Sequence, residues 1–75
     1  MDELQVYNRL AEQRQAAGLS QQQLADAINV SRKTISTIET CRFTPSVLIA
    51  LQLAEFFQIP VEQLFSLTAF MPTKP

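Results

Sequence analysis

From Ser31 to Arg42 the chain reads Ser-Arg-Lys-Thr-Ile-Ser-Thr-Ile-Glu-Thr-Cys-Arg. Arg32, Lys33 and Arg42 are cations, Thr34, Ser36 and Thr37 carry hydroxyls among them, and Ile35 and Ile38 recur at helical spacing. On a helix that spacing turns the isoleucines to one side and the cations and hydroxyls to the other. A face of this kind holds the donors that phosphates and base edges accept. The chain as a whole is nonetheless acidic, with six Lys and Arg against seven Asp and Glu, a net charge of −1 and a pI of about 5.1. Within the segment only Glu39 opposes the cations, while Asp2, Glu3, Glu12, Asp26, Glu55 and Glu62 lie elsewhere. The charge is segregated into a small positive face on an acidic body. So few cations give little affinity by counterion release. Two copies would have to act together.

The elements that must hold this face read as short helices separated by turn signals. A first helix is expected over about Glu3 to Ala17, with Val6, Tyr7, Leu10 and Ala17 near one face and Gly18 as its terminating glycine. Ser20 followed by Gln23 is a capping box that starts a second helix, whose inner stripe is Leu24, Ala25 and Ile28. Asn29 and Val30 turn the chain, and Ser31 caps a third helix through about Glu39. Thr44, Pro45 and Ser46 open a fourth, running to about Phe57 on a stripe of Val47, Ala50, Leu51, Ala54 and Phe57. A short fifth helix is entered through Pro60 and ends near Phe65. Strand alternation is nowhere sustained. Two helices of fewer than ten residues joined by a tight turn are the helix-turn-helix plan. In that plan the second helix of the pair enters the major groove with its N-terminal end foremost.

The run AEQRQAAGLSQQQLADAINVSRKTISTIE and the later TPSVLIALQLAEFFQIPVEQLF together resemble the phage repressor and Cro type of helix-turn-helix family, the XRE family, over about residues 6 to 66. The resemblance implies an all-α, compact five-helix bundle with a helix-turn-helix, of the lambda-repressor-like DNA-binding kind; residues 1–66 are expected to form this domain and 67–75 a C-terminal tail, apolar at its start and partly at a dimer interface. It implies a phosphate contact for Gln21, which also braces the third helix. It implies base reading by Arg32, Lys33 and Ser36, and positions near the DNA backbone for Thr34 and Thr37. Arg42 and Thr44 match the following loop, which touches phosphates in the family. Arg14 and Glu39 match a structural ion pair between the first and third helices. The family's usual Asn-Gly after the third helix is Thr40-Cys41 here. A cysteine in the left-handed conformation of that glycine would cost roughly 1 kcal/mol.

The fourth helix is apolar beyond its expected core stripe, at Leu48, Ile49 and Phe56, and the tail adds Leu67, Phe70 and Met71. A helix apolar over so much of its surface calls for cover on both sides, and a homodimer is the expected source. Tyr7, Phe43 and Phe65 read as core or near-core aromatics. With no histidine and one cysteine, neither an internal disulfide, a zinc site nor an ordinary general base is expected. Nor is a cofactor, a metal, an enzymatic activity or a small-molecule ligand domain. The expected partners are double-stranded DNA, a second copy and another regulatory protein, with no membrane, and the expected compartment is the cytoplasm. The expected function is sequence-specific transcriptional regulation, as a repressor on a palindromic operator. The alternative is a protein-interaction module, antitoxin-like, that uses the apolar fourth helix and tail.

Overall fold

The computed structural model describes residues 5–70. Five helices follow one another: α1 Leu10–Ala16, α2 Gln21–Ile28, α3 Arg32–Glu39, α4 Val47–Phe57 and α5 Val61–Leu64. Two short strands, β1 Tyr7–Asn8 and β2 Phe65–Ser66, pair antiparallel and tie the two ends of the domain together. The core gathers Leu10, Leu24, Ala25, Ile28, Ile35, Ile38, Leu53 and Leu64, with every helix contributing.

Local chemistry fixes the helix starts. Ser20 accepts from the Gln23 N–H while the Gln23 side chain accepts from the Ser20 N–H, which closes the capping box of α2. Ser31 accepts from the Thr34 N–H at the head of α3. At α4 the capping hydroxyl belongs to Ser46, which accepts from the Ile49 N–H, so the helix begins after Pro45 and not at Thr44.

The first helix is shorter than the sequence suggests. Tyr7 and Asn8 leave it to form β1, opposite Ser66 and Phe65. Asn8, one residue before the N-cap Arg9, satisfies the first N–H of what remains, its Oδ1 accepting from the Leu10 N–H at 3.0 Å, while its Nδ2 donates to the Ile38 carbonyl at 2.9 Å. One amide thus satisfies the head of α1 and a carbonyl in the last turn of α3. Of the face expected on this helix only Leu10 is buried, and Ala17 is exposed.

Four helices end alike. After α1, α2, α3 and α4 a residue at positive φ carries the chain away: Gly18, Asn29, Cys41 and Gln58. In each case the next residue's N–H bonds five positions back, as in Arg42 to Thr37 at 2.9 Å, and the positive-φ residue's own N–H bonds three back, as in Cys41 to Ile38 at 3.0 Å. These are Schellman ends. Three of the four stand on residues with a Cβ, which the left-handed region penalises.

Docking sets the phase of α4. Leu53 and Ala54 are buried, and Ile49 and Phe57 pack against the core. Val47 is 75% exposed and Leu51 52%, so neither belongs to the inner stripe expected of them. Leu48 and Phe56 are also exposed.

Candidate nucleic-acid interface

The face begins with how α3 is seated. Ile35 and Ile38 are fully or almost fully buried, so the opposite side of a helix this short must face outward. Arg32 and Lys33 are exposed in its first turn, and Thr34, Ser36 and Thr37 are half-buried beside them. Between Ala27 and Ala54 the only acid is Glu39, and that carboxylate faces inward.

Glu39 is the hub of a brace. Arg14 Nε donates to its Oε2 at 2.7 Å and Arg14 Nη2 to its Oε1 at 3.2 Å, a two-pronged pair whose side chains are 13% and 6% exposed. Arg14 Nη1 donates to the Leu19 carbonyl at 2.8 Å, so the guanidinium also fastens the turn before α2. The hydrogen bond to Glu39 raises the Arg14 pKa, burial opposes the rise, and the carboxylate's charge adds to it. Gln21 Nε2 donates to Glu39 Oε1 at 3.0 Å, linking the first residue of α2 to the last of α3. That bond uses one of the two hydrogens of the Gln21 amide.

The threonines of α3 turn their hydroxyls onto their own helix. Thr37 Oγ1 donates to the Lys33 and Thr34 carbonyls, at 2.9 and 3.1 Å. Thr34 Oγ1 lies 2.9 Å from Ser31 Oγ. Cys41 takes the left-handed conformation at φ 61, the geometry a glycine would have used. The Schellman bond from the Arg42 N–H to Thr37 therefore places Arg42 directly after α3, with its side chain exposed. Thr44 is exposed two residues on.

Phe43 departs from its expected place in the core. It is 46% exposed. With Ser31, Lys33, Thr34, Thr37 and Arg42 it lines an open depression of about 270 Å³ on the outer side of α3. No sequence signal marks this, because an aromatic between a cation and a capping segment reads equally well as core.

The remaining cations are engaged or lie outside the description. Arg14 is held by Glu39. Arg9 lies 4.3 Å from the centroid of the Phe70 ring, so Phe70, expected at a subunit interface, packs within its own chain. Lys74 falls outside the described residues, as does Met71 of the expected interface. Ile49, from the same expected set, packs on the domain's own core. Leu48, Phe56 and Leu67 are exposed. Among the described residues no group of His, Cys, Asp and Glu could hold a metal ion, and no helix is long and apolar enough to cross a membrane.

The sequence pattern of the helix-turn-helix family matches residues 10–64, from the start of α1 to the end of α5. The HTH-type transcriptional regulator YgzD of Bacillus subtilis is 35% identical over 58 residues, which cover 77% of this chain and 88% of that one. An HTH-type transcriptional regulator of Methanocaldococcus jannaschii is 38% identical over 58 residues, with the same coverage. In three dimensions a crystallised protein from Bacteroides fragilis superposes with a TM-score of 0.72 at 23% identity, covering 81% of this chain and 98% of that one, which is a likeness of fold. The chain belongs to the helix-turn-helix family of transcriptional regulators, non-enzymatic proteins that bind double-stranded DNA.

Proposed function

We propose that the protein is a sequence-specific repressor that occupies a palindromic operator as a homodimer, with the N-terminal half of α3 in the major groove. The observation that carries this reading is the outer side of α3. There Arg32, Lys33 and Arg42 stand exposed and Glu39, the one acid in the sequence between Ala27 and Ala54, is turned inward onto Arg14. In this reading Arg32, Lys33 and Ser36 meet base edges, and Arg42 and Thr44 meet phosphates. Thr34 and Thr37 lie close to the backbone. Gln21 offers its second amide hydrogen to a phosphate while its first keeps α2 and α3 in register. Stiffness supports the role, because a reading helix must be held in place before it meets the groove.

Dimerisation through α4 supplies what the charge lacks. Val47, Leu48 and Leu51 form an exposed apolar arc along one side of the helix, with Phe56 at its edge. Such a patch marks an interaction surface. Two copies would carry six cations to two half-sites, one turn or about 34 Å apart. The same arc would serve the protein-interaction module, in which a different protein covers it.

The test is selection from a pool of random duplexes at about 50 and 150 mM salt, a range over which phosphate contacts weaken strongly. An enriched palindrome supports the dimeric reader. No enrichment by folded protein at either salt refutes it and favours the interaction module.

A further inference from the structure

The depression beside α3 is chemically mixed, and the mixture points to a guest. Its rim carries charge, from Lys33 and Arg42. Its interior is more apolar than the residue types suggest. Phe43 offers an exposed ring. Thr37 has turned its hydroxyl back onto the Lys33 and Thr34 carbonyls, and the Thr34 hydroxyl pairs with that of Ser31. With its proton committed, the Thr37 hydroxyl can only accept from a guest, so the cations are the main donors of the site. An open site with an apolar floor and a cationic rim does not suit a phosphate alone, because the floor would face a charge it cannot solvate. On a duplex, the major-groove edge presents one apolar projection, the 5-methyl group of a pyrimidine, which is thymine in ordinary DNA and 5-methylcytosine in modified DNA.

We propose that the exposed ring of Phe43 forms a receptor for a pyrimidine 5-methyl group, making Phe43 a specificity-determining residue outside the recognition helix. This rests on the DNA-binding reading above. Lys33 and Arg42 would hold the flanking backbone or base edges, so the ring is pressed toward the groove as the cations engage. The effect is modest and local. Burying one methyl group is worth about fourfold in affinity per half-site.

The experiment uses the duplex enriched by selection. Each thymine is replaced singly by uracil, which removes only the methyl group, and each cytosine singly by 5-methylcytosine, which adds one. Wild type, Phe43→Ala and Phe43→Leu are titrated against every duplex. Phe43 is exposed on a loop, so both variants are expected to keep the wild-type circular dichroism and melting. The expected result is a single position per half-site where losing the methyl costs wild type about fourfold and costs Phe43→Ala under about twofold, with Phe43→Leu between. If that position carries cytosine, methylation raises wild-type affinity by the same factor. Indifference of wild type to every methyl change overturns the proposal. So does a penalty that persists unchanged in Phe43→Ala, which would assign the methyl to another residue. A uniform loss by Phe43→Ala across methylated and unmethylated duplexes also overturns it and makes Phe43 a backbone contact. Failure of wild type to bind any unmodified duplex is scored separately and removes the DNA reading together with this one.

Discussion

Glu39 offers the sharpest perturbation of the fold. Its carboxylate accepts from Arg14 twice and from Gln21 once, and its side chain is 6% exposed. Replacing it with leucine leaves the Arg14 guanidinium 13% exposed with the Leu19 carbonyl as its remaining partner. Stranding one member of a buried ion pair costs about 3–5 kcal/mol. A domain of this length has a total stability of about 4–11 kcal/mol. Glu39→Leu alone should therefore remove about a quarter or more of the stability. Arg14→Met alone should be similarly harmful, because it leaves the carboxylate with only the Gln21 amide. The two changes together replace charge by packing volume, and such exchanges are often neutral or stabilising. The double variant should thus be more stable than either single variant, which requires a coupling larger than either single loss, above about 3 kcal/mol. Urea unfolding followed by circular dichroism gives the four free energies of the cycle. Single-variant losses that add to within about 0.5 kcal/mol would refute the brace.

The helix ends and the α4 surface give further predictions. Cys41→Gly should raise stability by about 0.5–1 kcal/mol, since it relieves the left-handed penalty and gives part of the gain back as unfolded-state entropy. Calorimetry should read this as a melting point higher by about 2–8 °C. Gly18→Ala should do the reverse by about 1 kcal/mol. An added Cβ there meets nothing within 4 Å, so the loss comes from φ 73 alone. Leu51→Lys should convert a dimer to a folded monomer in analytical ultracentrifugation, whereas Leu53→Lys, at a fully buried site, should unfold the chain.

What could be read from the sequence follows the range of the interactions. Helix caps such as Ser20 with Gln23, and Ser31, are bonds between neighbours, and residue type at fixed spacing is sufficient to find them. The helix-turn-helix pair was legible for the same reason. The β1–β2 ribbon was not, because Tyr7 pairs with Ser66 across the whole domain and two-residue strands leave no alternation to detect. The phase of α4 escaped because a helix apolar almost all round has no stripe to orient it. Only docking decides that Leu53 points in and Leu51 out. At Gln58 the left-handed end carries no glycine or asparagine to announce it. The candidate DNA residues were assigned by residue type and by resemblance to the family, whereas the inward turn of the Thr37 hydroxyl and the exposure of Phe43 depend on backbone geometry that composition does not encode.

The most direct test of the central claim is the affinity of wild type and of the Arg32→Ala, Lys33→Ala double variant for the selected duplex across a salt series. With Arg32, Lys33 and Arg42 from each of two protomers, the slope of log K against log salt should be no steeper than about −5. The double variant should bind at least tenfold more weakly, with discrimination among operator variants relaxed. A double variant that keeps wild-type affinity, slope and discrimination would show that α3 does not read the duplex.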